Sequence, residues 1–359
     1  MTKTIKLLNN DYVKLIWNAA VILGAIILLS SFLSAQSNQP VETPRNSAVT
    51  LTVPQADHSF TFLIFADRTT GKPEGISVLK DAVVDANRLA PDFVMNIGDM
   101  VQGYNAAEQW LEQMKEFKEV MNGLKCPWYP TAGNHDIYAG RFAKELPKKQ
   151  HEKEYEENFG PLYYAFEYKN YWFIVLYTDE GNPETDEKSF SKPECQMMSD
   201  TQFSWLKSVL NKAKTADGIF IFQHHPRWLG GGYGNDWDKV HAVLVETGKV
   251  KSVFAGHIHR MTYNEKDGIK YITLATTGGK LDRIDSNAGL IHEIHHVSLR
   301  KNAEPEITVL PVKTTLDITA MPSGIPSGQN NNVPKTASPS KTETNKKTKE
   351  EKPLSGTVL

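Results

Sequence analysis

From residue 60 onward, the apolar positions fall into short unbroken runs separated by stretches of helical spacing. Phe60-Thr-Phe-Leu-Ile-Phe65 ends at Ala66-Asp67, and an apolar run of that length predicts a buried strand with a carboxylate at its carboxyl tip. Ile76, Leu79, Val83, Ala86 and Leu89 then recur at helical spacing until Pro91 closes the element. Phe93–Ile97 predicts a second strand, ending at Gly98-Asp99. A helix is expected over 106–124, with Trp110, Met114, Phe117, Val120 and Met121 on one face. Trp128–Thr131 predicts a third strand leading into Gly133-Asn134-His135-Asp136. Strand, helix, strand, helix, strand is the order of an α/β fold with parallel strands, and such sheets place ligands just past their carboxyl ends.

After a charged stretch over 144–157, the runs Tyr163–Tyr168 and Tyr171–Thr178 flank Lys169-Asn170 and read as a hairpin. Ser199-Asp200 opens a helix carrying Phe203, Leu206, Val209 and Leu210. Ile219–Phe222 and Val250–Phe254 are further strands, ending at Gln223-His224-His225 and Gly256-His257-Ile258-His259. A helix over 236–247, a hairpin about Asp267-Gly268 and strands near 289–299 and 305–312 complete the pattern, which holds no internal repeat.

The two ends read differently. Lys3, Lys6 and Lys14 precede an apolar run, Leu15–Leu33, whose polar interruptions are Asn18, Ser30 and Ser31, with Ser34-Ala35 after it. This is the pattern of a secretory signal peptide, or of a membrane anchor if the segment stays uncleaved. In either case the body is expected outside the cytoplasm, periplasmic or extracellular, because the Lys-bearing side stays inside. Residues 322–359 lack aromatic residues and are rich in Pro, Ser, Thr, Asn, Lys and Glu, so a low-complexity disordered tail is expected. The expected organisation is an export segment or anchor over 1–36, a linker over 37–57, one domain over 58–315 and the tail. Length alone, 359 residues, suggests two domains; removing both ends leaves enough for one large core.

Net charge −2 and the lack of a basic stripe in the body argue against a duplex nucleic-acid binder. Cys126 and Cys195 are too few for a disulfide scaffold and have no paired metal spacing, leaving one disulfide or two buried thiols open.

Five strand exits carry metal-type ligands: Asp67; Asp99; Asn134-His135-Asp136; His224-His225; and His257-x-His259. Gly98, Gly133 and Gly256 are expected to let the chain turn sharply so that these side chains converge. Carboxylate and amide oxygens mixed with imidazoles suit Mn, Fe, Zn or Mg. In this order the residues resemble the calcineurin-like metallophosphoesterases, whose pattern is D-x-H, G-D, G-N-H-D/E, a strand-end His and G-H-x-H. The resemblance implies an α/β sandwich of two mixed β-sheets flanked by helices. It also implies two metal ions, with Asp99 bridging them. Asp67 and His259 would complete one, and Asn134, His224 and His257 the other. It implies a metal-activated hydroxide attacking a phosphomonoester or phosphodiester, either a small molecule or a phosphorylated polymer. His135 would be the general acid, with Asp136 orienting its ring or alternatively capping the helix start.

One element departs from the family. The first motif reads Asp67-Arg68-Thr69, with a threonine where the second ligand usually stands. The related purple acid phosphatases also lack that histidine and use a tyrosine; here the nearest is Tyr104, a candidate ligand or a packing residue. Arg68 either meets substrate phosphate or is a turn residue. The departure keeps a second function open, a non-catalytic extracellular binding protein on the same scaffold. His225, His241, His292, His295 and His296 are read as packing, loop or surface residues. Trp228, Tyr233 and Trp237, around Gly230-Gly-Gly232, form either an aromatic cleft wall or anchors of a long loop.

Overall fold

The structure is a computed structural model that describes residues 59–69, 75–139 and 149–315, apart from residues 190, 235 and 302. The expected export segment or anchor, the linker and the tail lie outside the described residues. Among the described residues, no helix is long and apolar enough to cross a membrane.

Two mixed β-sheets pack face to face. The first, of five strands, has the order β11-β10-β1-β2-β3, from β1 (Phe60–Phe65), β2 (Phe93–Asn96), β3 (Trp128–Tyr129), β10 (Glu293–Leu299) and β11 (Glu306–Pro311). Strands β1, β2 and β3 are parallel, while β10 runs antiparallel to both β1 and β11. The second sheet has the order β4-β5-β6-β7-β9-β8, from β4 (Tyr164–Tyr168), β5 (Tyr171–Val175), β6 (Gly218–Phe222), β7 (Val250–Ala255), β8 (Thr262–Lys266) and β9 (Ile269–Thr273). Its middle strands are parallel and its two outer strands antiparallel to their neighbours.

The unbroken apolar runs are explained by burial on both faces. One side of each strand enters the layer between the sheets, where Phe60, Phe62, Ile64, Phe93, Phe173, Phe220, Phe222, Phe254 and Leu299 pack together. Phe62 stacks on Phe93 at 5.3 Å between ring centroids and meets Phe173 edge-on at the same distance. The other side of the first sheet, Leu63, Phe65 and Val94, packs on α1 (Gly75–Leu89) and α2 (Ala107–Met121) through Leu79, Val83, Trp110, Phe117 and Met121. In the second sheet Ile174, Ile219, Ile221 and Val253 pack on α5 (Asp200–Lys212) and α6 (Trp237–Thr247) through Leu206, Val209, Val240 and Leu244. Among the described residues the remaining α-helices are short, the single turn α3 (Asn134–Ile137) and α4 (Gln150–Asn158). The second lies in the charged stretch where no helix was expected. Its mean polarity is high, yet His151, Glu152, Glu154 and Tyr155 are buried; Glu152 takes hydrogen bonds from the Tyr177 hydroxyl (2.6 Å) and Lys188 Nζ (2.8 Å), so polar pairing replaces an apolar stripe.

The third strand is shorter than expected, two residues instead of four, although the Thr131 N–H still donates to Asn96 O of β2 at 3.0 Å. Cys126 and Cys195 are free thiols, the second buried and the first half-buried.

Candidate metal centre

The loops that follow β1, β2, β3, β6 and β7 bring the expected residues to the carboxyl ends of both sheets. Asp67, Asp99 and His259 present ligand atoms within 4.8 Å of one another, as do His224, His225 and His257. Asp67 is fully buried; its Oδ2 accepts the His257 backbone N–H (2.8 Å) and lies 3.2 Å from His259 Nε2, while its Oδ1 is buried with no hydrogen-bond partner among the described residues. Asp99 Oδ1 accepts the His135 backbone N–H at 2.9 Å and lies 3.2 Å from His224 Nε2. Asn134 Oδ1 is the meeting point of three imidazoles: His224 Nε2 at 3.1 Å, His225 Nε2 at 3.1 Å and His257 Nδ1 at 2.8 Å. The Asn134 amide is oriented by its Nδ2, which donates to the Tyr104 hydroxyl at 2.7 Å.

The backbone at this edge is strained as well as crowded. Asp99, His257 and His259 all adopt positive φ, at 55°, 70° and 51°, a region that side chains other than glycine seldom occupy. Gly98, at φ 101°, supplies the expected sharp turn. Gly133 and Gly256 do not; Gly133 has φ −106°, and both serve close approach instead. A Cβ on Gly256 would fall 2.1 Å from Asp67 Oδ1, and one on Gly133 2.3 Å from Asp99 Oδ1.

Tautomers decide what the clusters can hold. A carbonyl oxygen only accepts, so His224 donates Nδ1–H to Ile97 O (3.0 Å) and His259 donates Nδ1–H to Lys280 O (2.8 Å). Each neutral ring then directs its Nε2 lone pair at a carboxylate, and His224 also at an amide oxygen. Lone pair against lone pair is repulsive, so a proton or a cation must stand between them. For His224 a proton would serve: burial works against it, but the Asp99 charge outweighs burial and raises the imidazole to about 10. Burial alone would also raise Asp99, yet His224, His135 and His257 hold it well below the usual carboxylate range. His259 is likewise raised, its burial offset by Asp67. His257 and His225 are held neutral instead. Burial and the His224 charge push His257 down to about 3, and burial with the charges of His257, His224 and Arg227 pushes His225 well below its ordinary value. Imidazoles held neutral around one amide oxygen, beside an unpartnered buried carboxylate oxygen, fit divalent cations. The two clusters are thus consistent with a dinuclear metal site, built by Asp67, Asp99 and His259 on one side and by Asn134, His224 and His257 on the other.

The remaining expected residues divide. His135 is half-buried at the edge of this cluster, its Nδ1 donating to Gln102 O at 2.5 Å and its ring 4.3 Å from that of Tyr104. Asp136 does not orient that ring, as the family pattern had suggested. Its Oδ1 accepts the N–H groups of Met100 (2.8 Å) and Val101 (3.1 Å), and its Oδ2 those of Asp99 and Gly133 (both 2.8 Å). Burial and the Asp99 charge push its carboxyl up to about 7, against the pull of those donors. The capping reading is the one this geometry fits. Arg68 is buried and paired with Glu116 of α2 at 3.7 Å, which gives no support to a phosphate-binding role. Thr69 is fully buried and donates its hydroxyl to Val101 O, so it offers no ligand. Tyr104 reaches Asn134 from behind and not through the carboxylates.

Sequence reasoning missed Asp179, whose Oδ1 accepts from the Tyr138 hydroxyl (2.7 Å) and lies 3.6 Å from His225 Nε2. The signal was present: Asp179 ends an apolar run just as Asp67 does. Gln196 was not legible, because it comes from an irregular segment before α5.

With this fold and these five strand exits, the chain belongs to the calcineurin-like phosphoesterase family, whose sequence profile matches residues 60–261. Among named proteins it is 25% identical over 221 residues to tartrate-resistant acid phosphatase type 5 of Mus musculus, covering 56% of this chain and 65% of that one. It is 24% identical over 237 residues to a manganese-dependent ADP-ribose/CDP-alcohol diphosphatase of Oryza sativa, covering 55% and 73%. It thus spans a little under two thirds of the length of the acid phosphatases it matches. A dimetal phosphatase of Danio rerio has the same fold, with TM-score 0.52, 18% identity, and coverage of 69% of this chain and 98% of that one.

Proposed function

We propose that this chain is an exported metal-dependent phosphoesterase that hydrolyses a phosphomonoester or phosphodiester, with His135 as general acid. The observation that carries the reading is the convergence of Asp67, Asp99, Asn134, His224, His257 and His259 at the carboxyl ends of both sheets, with ligand atoms within 4.8 Å of one another in each cluster and His135 at their edge. When bound, a pair of divalent ions supplies positive charge that acidifies water and neutralises phosphoryl oxygens. The chain's own residues do the rest. Asp99 lies between the two clusters. The Gln102 carbonyl fixes the His135 tautomer with its proton on Nδ1, so Nε2 is the nitrogen that exchanges a proton with the leaving oxygen once the ring is protonated. The ring is held against Tyr104, and the Asp136 clamp sets the backbone from which both Asp99 and His135 project. The acid phosphatase and the diphosphatase among its relatives support hydrolysis at a phosphoryl group.

The full chain with added Mn or Zn is expected to hydrolyse p-nitrophenyl phosphate or its bis ester. His135→Ala is expected to lower kcat by about 10²-fold or more while metal content holds, the size of effect usual for a general acid. Thr69 leaves the first position with one imidazole fewer than the family pattern, which is the observation behind a second reading, a binding protein on the same scaffold. No turnover of either ester with any metal, together with tight binding of a phosphorylated ligand, would establish that alternative. The basic start and apolar run over 1–36 support export; mature chain recovered from cytoplasm with Met1 intact would overturn it.

A further inference from the structure

Besides the six residues that the family pattern supplies, the buried histidine His225 has a nitrogen pointed at the same gap. Its Nδ1 makes a short contact with Gln196 Oε1. The Gln196 amide cannot be turned over without loss, because its Nε2 donates to Ser189 O at 2.8 Å and Cys195 O at 3.4 Å. Gln196 Oε1 is therefore an acceptor and His225 Nδ1 carries the proton. The Nε2 lone pair then faces Asn134 Oδ1 at 3.1 Å and Asp179 Oδ1 at 3.6 Å. This nitrogen thus faces the Asn134 amide oxygen and one carboxylate oxygen, the same pair of groups that His224 Nε2 faces in Asn134 Oδ1 at 3.1 Å and Asp99 Oδ1 at 3.2 Å. The spacing agrees as well. Donors around a tetrahedral ion at about 2.05 Å lie roughly 3.3 Å apart, and three imidazole nitrogens lie 2.8 to 3.1 Å from Asn134 Oδ1. The rings of His225 and His257 are 4.1 Å apart, closer than either is to His224.

We infer that His225 is itself a metal ligand, a third imidazole at the Asn134, His224 and His257 position. This rests on the dinuclear reading above and sharpens it. The second position becomes nitrogen-rich, whereas the first, with Thr69 turned away to Val101, offers two carboxylates and one imidazole. Imidazole-rich sites suit zinc, and carboxylate-rich sites suit manganese or magnesium. The two positions thereby differ in metal preference, zinc at the second and an oxygen-preferring ion at the first.

The test loads metal-stripped full chain with equimolar zinc and manganese, removes loose ions and measures metal per chain, alongside zinc affinity by competition with a chromophoric chelator. Wild type is expected to hold one zinc and one manganese. His225→Ala is expected to bind that zinc at least tenfold more weakly with manganese affinity unchanged. Unchanged zinc affinity in a folded His225→Ala overturns the inference. Should that variant fail to fold, nitrogen-15 NMR of histidine-labelled wild type decides: the His225 Nε2 resonance moves on zinc addition if the inference holds, and an unmoved resonance overturns it. Neither readout depends on turnover. A phosphoesterase whose zinc affinity ignores His225 sinks this inference alone, and a zinc protein dependent on His225 without esterase activity sinks only the proposed reaction.

Discussion

At Gly256 a single methyl group is enough to test the site. The Cβ of Gly256→Ala would meet Asp67 Oδ1 at 2.1 Å, and Asp67 is held on its other side by the His257 N–H and His259. Overpacking a well-packed position costs about 1–3 kcal/mol, so the variant is expected to unfold at lower denaturant. More specifically, it should lose most of the ion at the Asp67, Asp99 and His259 position while retaining the other, as metal analysis would show. Retention of both ions would mean that Asp67 has room to move. The glycines were legible in the sequence as punctuation after each strand, but the reason assigned to two of them, a sharp turn, was not the operative one. Contact distance is invisible in a string in which residues 67 and 256 stand far apart.

The element that organises the centre is the clamp between the loop after β2 and the turn α3. One carboxylate, Asp136, accepts four backbone N–H groups, from Asp99, Met100, Val101 and Gly133. Removing it in Asp136→Ala leaves four buried donors unpaired, each costing on the order of 1 kcal/mol or more. A loss of about 3 kcal/mol or more in chemical denaturation is expected, with Asp136→Asn falling between the two because the amide keeps one accepting oxygen. A loss below 1 kcal/mol would show that water replaces the carboxylate. The strands and helices around this clamp follow from periodicity, since burial on both faces gives continuous apolar runs and burial on one face gives helical spacing. The α4 helix does not, because its buried face is polar and is satisfied by Tyr177 and Lys188, residues that approach it only after folding.

At the scale of the whole molecule, folding brings the His224 imidazole to 3.2 Å from the Asp99 carboxylate. In metal-free protein the His224 imidazole sits near 10, above its ordinary value of about 6.5. A raised folded-state value means that the imidazolium stabilises the fold fully below pH about 6.5 and loses that contribution as pH rises toward 10. The Tm of chelator-treated protein is therefore expected to fall between pH 7 and 10. Added zinc should remove that decline, because the ion takes the place of the proton. A flat profile in the metal-free protein would mean that His224 is neutral there.

The sequence by itself determined the order of the strands and of the helices that pack an apolar face, the five polar strand exits and the family to which they belong. These are local matters: a run of apolar residues records how many of its faces are buried, and a ligand type at a strand end records what the edge can hold. Tertiary structure decided how those ligands are shared. It turned Asp136 onto backbone N–H groups, spent Arg68 on Glu116 and Thr69 on Val101, and brought Gln196 and Asp179 against His225. Each of these outcomes depends on which hydrogen-bond partner lies within about 3 Å, a distance set by the packing of two sheets and not by any spacing along the chain.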